Sequence, residues 1–187
     1  MTKLPEILQR RILSPEEVSS RGLRIEQLHL KFSNGNERYY QRIRPVGGNV
    51  VLIVPMPDNE TVLLIREYAA GLHNYQLQLP KGAIEPDETL LSAANRELKE
   101  EVGKGAHNLL HINTFSAIPG FNPQLTDIVL ARDLYDEQLS GDEPEAIEVV
   151  PWSINELAEL VQREDCTEAR TIAALYYVRD LLLMNKI

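Results

Sequence analysis

One amphipathic helix, placed between runs of strand-forming residues, is the feature that most constrains the fold. In the stretch GAIEPDETLLSAANRELKEEVGK, Asp87 follows a turn and is predicted to cap a helix that begins at Glu88 or Thr89. The helix should end at Val102, because Gly103 can adopt the left-handed conformation that closes a helix. Four apolar residues at helical spacing are predicted to face the core: Leu91, Ala94, Leu98 and Val102.

The segments on either side of this helix are typical of strands. The apolar runs NVVLIVPM and TVLLIREY are short and rich in β-branched residues, which favours buried strands of a mixed sheet. Ser153 with Glu156 resembles a capping box for a later helix, and Thr167 is predicted to start the closing helix. Strands around a central helix, closed by C-terminal helices, predict an α/β or α+β sandwich.

The first 45 residues differ from the rest of the chain. They consist of short alternating segments around the turn Ser33-Asn34-Gly35-Asn36, which predicts a β-hairpin. A segment of this length is too short for an independent core. We therefore expect an N-terminal antiparallel β extension over residues 1–45 and a main domain over residues 46–187.

Composition excludes some classes of partner. The formal charge is −9, whereas a nucleic-acid backbone selects a basic face. The start of the chain lacks the apolar segment of a signal peptide, and no run approaches the ~20 apolar residues of a membrane span. With Cys166 as the single cysteine, no intrachain disulfide is expected. The chain is thus predicted to be cytoplasmic, with neither nucleic acid nor membrane as a partner.

Three glutamates near the end of the predicted helix indicate a metal site. Glu97, Glu100 and Glu101 are three and four residues apart, so their carboxylates converge on one helical edge, where like charges repel. Carboxylate oxygens are the ligands that Mg²⁺ prefers. Arg96 is placed to reach Glu100 one turn on and to fix its orientation.

The turn before the helix adds a further ligand to this prediction. Gly82 has no side chain, so the backbone carbonyl of Lys81 can approach a bound cation. Such a cation would also let an acidic chain bind a small phosphorylated ligand.

Seven residues of this stretch match the Nudix box, GX5EX7REUXEEXGU with U aliphatic, and the chain is similar to the Nudix hydrolase superfamily. The matching residues are Gly82, Glu88, Arg96, Glu97, Glu100, Glu101 and Gly103, with Leu98 as the aliphatic position between them. Lys104 departs from the aliphatic residue expected at the last position.

The resemblance to the Nudix superfamily implies an α/β/α sandwich that hydrolyses a nucleoside diphosphate linked to another moiety, using Mg²⁺ or Mn²⁺. It implies that the three helix glutamates are metal ligands, that Arg96 orients them and that Glu88 supports the site.

Segments outside the box resemble the ADP-ribose pyrophosphatase branch of the superfamily. The loop with Pro119 and Gly120 matches a loop that lines the ligand site in that branch. The acidic loop GDEPEAI matches one that supplies the general base, so Glu143 or Glu145 is implied for that role. The closing helix TEARTIAALYYV is also similar.

The branch implies hydrolysis of ADP-linked compounds such as ADP-ribose, NADH and short diadenosine polyphosphates, with release of AMP. The alternatives are a narrower ADP-ribose or nucleotide-sugar pyrophosphatase and a Nudix-fold nucleotide sensor without catalysis. The branch also implies a homodimer in which the N-terminal extension helps to build the substrate pocket, with Phe32, Tyr39 or Tyr40 either stacking on adenine or packing between strands.

Arg66 and two histidines have both a functional and a structural interpretation. Arg66, at the end of TVLLIREY, is predicted either to bind a substrate phosphate or to form structural ion pairs. His107 and His111 have the i, i+4 spacing of metal ligands, but glycines break the helix before them and no third ligand is near, so we expect no zinc site.

Overall fold

The computed structural model describes residues 6–12, 24–44, 48–141 and 145–187. These residues divide into two compact units. The first contains Met1–Gly48 together with Ser116–Gln124, and the second contains Asn49–Phe115 and Leu125–Ile187.

The first unit is built on an antiparallel sheet with the order β1-β2-β3. Its strands are β1 (Glu6–Ile12), β2 (Arg24–Lys31) and β3 (Glu37–Arg44). The amide of Phe32 donates to the carbonyl of Asn36 at 2.8 Å across the β2–β3 turn, where Gly35 takes a φ of 84°. The hairpin predicted around residues 33–36 is therefore confirmed. Residues 116–124 join this unit through a bond from the Ile43 amide to the Phe121 carbonyl, 2.9 Å long.

The described strands of the second unit form two sheets. Their bounds are β4 Val50–Pro55, β5 Thr61–Ala69, β6 Asn74–Gln78, β7 Lys81–Ala83, β8 Lys104–Ser116, β9 Leu125–Asp136 and β10 Glu148–Ser153. One sheet has the order β7-β4-β9-β8 and the other has the order β10-β5-β6. Because β4 pairs with β9 in parallel and with β7 antiparallel, the first of these sheets is mixed, as predicted for the run NVVLIVPM. The run TVLLIREY forms β5, which pairs antiparallel with both β6 and β10, so its predicted place in a mixed sheet is wrong.

Helices cover both faces of the strand layer. They are α1 (Leu90–Glu101), α2 (Leu157–Leu160) and α3 (Ala169–Leu183). Alternate residues of β4 face opposite sides, so Leu52 packs in a cluster with Leu175 of α3, and Ile53 in a cluster with Leu98 of α1. The unit is an α/β/α sandwich, which confirms the predicted fold class.

The boundaries of the helices differ from the predictions in two places. Thr89, rather than Asp87, caps α1, and its hydroxyl accepts from the Ser92 amide at 3.2 Å. The prediction that Thr167 starts the closing helix is wrong, because Glu168 caps α3. In both cases several neighbouring residues could serve as caps, and the local sequence does not rank them.

Of the remaining local predictions, those for the end of α1 and for the cap at Ser153 agree with the structure, and one predicted core residue does not. α1 ends at Glu101 with Val102 as its C-cap, and Gly103 follows with a φ of 71°, as expected of a residue that closes a helix. Leu91 is 40% exposed, so its predicted core position is wrong, and Ala93 is buried instead. Ser153 does act as a cap, although it opens a single 3₁₀ turn that precedes α2. Among the helices of the described ranges, none is long and apolar enough to cross a membrane.

Candidate active site

The candidate site lies where the last turns of α1 meet the short strand β7. Gly82 on β7 is paired with Val51 of the buried strand β4, which fixes the turn before the helix. The opposite wall is α1, whose apolar face packs against the sheet through Ala94 and Leu98. Its acidic edge is thereby held beside the turn, so the fold brings together residues that are separated in sequence.

Arg96 is the centre of the hydrogen-bond network on this edge. Its Nε and Nη2 donate to the two carboxylate oxygens of Glu88, both at 3.0 Å. Its Nη1 donates to Glu97 at 2.7 Å and to Glu100 at 2.9 Å. Nη2 also donates to the Ala83 carbonyl at 3.0 Å. The pKa of Arg96 is raised, first by the bonds to Glu88, so the guanidinium remains charged and fixes three carboxylates.

Glu101 is a buried acid of this group, and burial disfavours its charged form. It is only 6% exposed, and its carboxylate accepts from the Lys81 amide at 2.8 Å. Burial raises the pKa of Glu101 to about 8, with smaller contributions from the charges of Glu67 and Glu97. A carboxyl group in this environment gains most from a nearby cation, because the cation compensates the charge that burial disfavours.

These acids line a cavity of about 520 Å³. Five of the described lining residues are glutamates, namely Glu67, Glu85, Glu97, Glu100 and Glu101, whereas only two are basic, Lys81 and Arg96. If all are ionised, the wall carries three more negative than positive charges. Such a wall repels an anionic ligand unless cations intervene.

The predicted metal ligands fit a divalent cation by their chemistry. Carboxylate oxygens are hard ligands of the type that Mg²⁺ and Mn²⁺ take. In the described ranges, no group of three or more histidine, cysteine, aspartate or glutamate side chains is arranged so that it could hold a metal ion. Two of the predicted ligands, Glu97 and Glu100, instead accept hydrogen bonds from Arg96. The metal role of Lys81 through its carbonyl stays a prediction.

Sequence reasoning missed Glu67. This residue of β5 forms an ion pair with Lys81, with Nζ 2.8 Å from Oε2, and also accepts from the Gln78 side chain. The sequence signal was a charged residue at the end of the buried run TVLLI. Its place at the site depends on the pairing of β5 with β6, which no local pattern reveals.

The acidic loop has one predicted base inside the described residues. Glu145 lines a second cavity, of about 480 Å³, together with Glu100 and Glu101. Its carboxylate accepts a hydrogen bond from the hydroxyl of Tyr75. Glu143, the other predicted base, lies outside the described residues.

The predicted substrate-binding residues lie in both units. Arg66 forms ion pairs with Glu148, at 2.9 Å, and with Asp165, at 2.7 Å, which is the structural alternative raised from the sequence. Pro119 and Gly120 are exposed residues of the first unit. The substrate contacts proposed for these three residues stay predictions.

The two histidines with i, i+4 spacing lie on strand β8 rather than on a helix. Residues four apart on a strand are roughly 13 Å apart, which is too far for one metal ion. The ring of His107 stacks on Tyr135 at 4.4 Å, and His111 lies 3.1 Å from Asp127. Cys166 is buried in the core.

Comparison with protein-family models identifies two matching regions. Residues 47–175 match the NUDIX domain, and residues 5–42 match the NudE-type Nudix hydrolase N-terminal domain. The first match contains α1, the Arg96 network and both cavities described above.

Characterised proteins and solved structures are similar over nearly the whole chain. ADP compounds hydrolase NudE of Escherichia coli (strain K12) is 45% identical over 172 residues, which are 91% of this chain and 92% of that protein. ADP-ribose pyrophosphatase of Bacillus subtilis (strain 168) is 27% identical, covering 92% of this chain and 94% of the relative. A crystal structure of an ADP compounds hydrolase superposes with a TM-score of 0.87 at 40% identity, covering 100% of this chain and 99% of that one.

Proposed function

The chain belongs to the Nudix hydrolase family, and from this premise we propose that it hydrolyses the pyrophosphate bond of ADP-linked compounds and releases AMP. One observation carries the proposal: Arg96 binds Glu88, which precedes α1, and holds Glu97 and Glu100 on the edge of α1 where the buried acid Glu101 also lies. This arrangement concentrates hard oxygen ligands at a cavity wall, where they suit a cation that bridges to phosphates.

Nudix hydrolases generally use divalent metal ions, and we propose Mg²⁺, with Mn²⁺ as a substitute, for this chain. Glu97, Glu100 and Glu101 would hold the cation, with the Lys81 carbonyl as a further ligand. Bound there, a divalent cation offsets the negative charge of the diphosphate and of its transition state. Arg96 keeps the glutamates oriented, and Glu88 fixes Arg96 in turn.

The hydrolytic step requires a group that takes a proton from the attacking water. Glu145, or Glu143 in the same loop, is proposed for this role. The water oxygen bonds to a phosphorus of the bridge, the phosphoanhydride bond to the other phosphate breaks, and the carboxylate receives the water proton. The products are AMP and the phosphorylated remainder of the substrate.

The proposed substrates are ADP-ribose, NADH and short diadenosine polyphosphates. The activity named for the Escherichia coli relative supports this broad class. The narrower alternative, an ADP-ribose or nucleotide-sugar pyrophosphatase, is supported by the name of the less similar Bacillus subtilis relative. Arg66, Pro119 and Gly120 are proposed to contact the substrate in either case.

A homodimer in the cytoplasm is proposed as the working form of the protein. Its extension, residues 1–45, is proposed to serve dimerisation and the substrate pocket, and residues 46–187 are proposed as the hydrolase domain. Tyr39 and Tyr40 support this, because they are 62% and 48% exposed on β3, where an aromatic ring could meet adenine or a partner subunit. Sedimentation at several concentrations tests the oligomeric state.

A substrate panel tests the activity. ADP-ribose, NADH, ADP-glucose, diadenosine compounds and a nucleoside triphosphate are each incubated with the protein and Mg²⁺, and the products are separated by chromatography. Release of AMP from several ADP-linked compounds is expected. A Glu101→Gln preparation run in parallel reveals any contaminating hydrolase. Preference for the triphosphate would contradict the proposal, and cleavage of ADP-ribose alone would select the narrower alternative.

A further inference from the structure

The hydroxyl of Tyr75 donates a hydrogen bond to Oε1 of Glu145. Tyr75 lies on β6, whereas Glu145 lies in the acidic loop that leads into β10. Because β5 lies between β6 and β10 in their sheet, this contact connects the outer strand β6 with the loop that precedes the other outer strand. It ties the loop to a strand that is 70 residues away in sequence.

The phenol ring of Tyr75 is held in place by its neighbours on the sheet. Tyr75 pairs directly with Tyr68 of β5, and the two rings meet edge to face with centroids 5.7 Å apart. The hydroxyl of Tyr68 bonds to Nδ1 of His73 at 2.6 Å. The strand pairing and the ring contact with Tyr68 hold the phenol ring of Tyr75, whereas the Tyr68 hydroxyl is directed to His73 and takes no part in the bond to Glu145. A ring held in this way is what a residue that orients another group requires.

The carboxylate that Tyr75 holds belongs to a wall of the candidate site. Glu145 lines the cavity that Glu100 and Glu101 also line, so a proton acceptor held there is close to the predicted cation ligands. The side chain of Glu145 is exposed, so water can reach its second carboxylate oxygen. The contact also raises the pKa of Tyr75, so the phenol keeps the proton that it donates.

We propose that Tyr75 is a positioning residue for Glu145: it fixes one carboxylate oxygen so that the other can accept a proton from the attacking water. The catalytic part of this inference rests on the proposed function, in which Glu145 is a candidate base. The holding of the loop glutamate does not depend on that role and can be measured separately.

Tyr75→Phe removes the hydroxyl and keeps the ring. We expect kcat to fall by roughly three- to tenfold, the value of one hydrogen bond, while KM changes less than about twofold. In a Glu145→Gln background the same substitution should have no further effect on kcat, because the group that Tyr75 orients is already lost. Tyr68→Phe is the matched control, because its hydroxyl bonds to His73 and not to the loop; it should retain the wild-type kcat.

Cleavage by a glutamate-specific protease gives a readout that is independent of catalysis. The hydrogen bond from Tyr75 must break before Glu145 can bind in the active site of the protease. Tyr75→Phe should therefore increase the rate of cleavage after Glu145 severalfold, as followed by mass spectrometry, whereas Tyr68→Phe should not. An unchanged cleavage rate in Tyr75→Phe would overturn the inference whatever the kinetics. If cleavage were faster in Tyr75→Phe but kcat were normal in Glu145→Gln, Tyr75 would be shown to hold the loop glutamate. Glu145 would then not be the general base.

Discussion

The carboxylate of Glu97 occupies the space in which a side chain at position 82 would lie. A Cβ atom placed on Gly82 would be 1.9 Å from both Cδ and Oε1 of Glu97, far inside van der Waals contact. Gly82 does not have a positive φ, so the requirement for glycine here is one of space rather than backbone conformation. Strand β7 and helix α1 therefore approach each other as closely as they do because this residue has no side chain.

Gly82→Ala is expected to displace the Glu97 carboxylate while the fold survives, because the clash involves the far end of a flexible side chain. Activity should fall by about 10–100-fold, as when a group that orients a metal ligand is lost. The cost in stability should be about 1 kcal/mol, or roughly 2–4 °C in Tm. Steady-state kinetics and thermal unfolding measure the two effects.

Gly71→Ala is the matched control for this substitution, since a Cβ there meets nothing within 4 Å. It should leave kcat unchanged. Wild-type activity in Gly82→Ala would mean that the position of Glu97 in the structure is not needed for hydrolysis.

Local contacts of the site follow from the sequence, and non-local contacts do not. The predicted contact of Arg96 with Glu100 is confirmed at 2.9 Å, because residues four apart on a helix are neighbours by geometry. The position of Glu67 depends on which strands pair and in what register, and that is decided by the packing of the whole sheet. For the same reason, the contact of Tyr75 with Glu145 cannot be predicted from the sequence.

The fold class was predictable for a different reason. The apolar runs of its strands and the apolar face of its central helix are consistent patterns, so errors in single boundaries do not change the layer order. Thr89 caps α1 two residues after the predicted Asp87, yet the acidic edge still meets β7. The grouping of residues 116–124 with the first unit had no counterpart in the sequence pattern.

Asp165→Asn is expected to destabilise the protein in a pH-dependent way. The bond from Arg163 and that from Arg66 lower the pKa of Asp165 from 3.8 to about 2, against the opposing effect of burial. A depressed folded-state pKa stabilises the protein above the unfolded value, and this stabilisation is lost as pH falls through about 2. At pH 7 the variant should lose roughly 1–2 kcal/mol, and the deficit should shrink between pH 4 and pH 2.

Urea unfolding at pH 7, 4 and 2.5 measures this deficit. Glu164→Gln serves as the control, because Glu164 is exposed and has no ion pair among the described residues; its stability should match the wild type at each pH. A deficit of constant size across this range would show that the ion pairs of Asp165 do not account for it.

The two loop glutamates are expected to differ in their effect on turnover. If one of them is the general base, its replacement by glutamine should lower kcat by roughly 10²–10⁴-fold and change KM little, because the amide cannot accept the proton. Glu143→Gln and Glu145→Gln are compared by steady-state kinetics with ADP-ribose and Mg²⁺. Wild-type kcat in both variants would place the base outside the loop.

Glu101→Gln is expected to lower turnover strongly without destabilising the protein. Burial raises the pKa of Glu101 to about 8, so an ionised carboxylate does not stabilise the metal-free protein at this position. Its replacement by a neutral amide should therefore leave Tm at pH 7 unchanged or raise it. Loss of a cation ligand should lower kcat by roughly three orders of magnitude. Calorimetric titration with Mn²⁺ should show weaker binding even where no turnover can be measured.

Glu137→Gln is the control for that experiment, because Glu137 pairs with Lys99 on the outside of the same helix at 2.9 Å. This variant loses one carboxylate near α1, so it reports any general effect of reduced negative charge, and it should bind Mn²⁺ and turn over substrate as the wild type does. If Glu101→Gln bound Mn²⁺ with wild-type affinity, Glu101 would not be a ligand. If both variants lost affinity equally, the cation would be attracted by net charge rather than held at the edge that Arg96 organises.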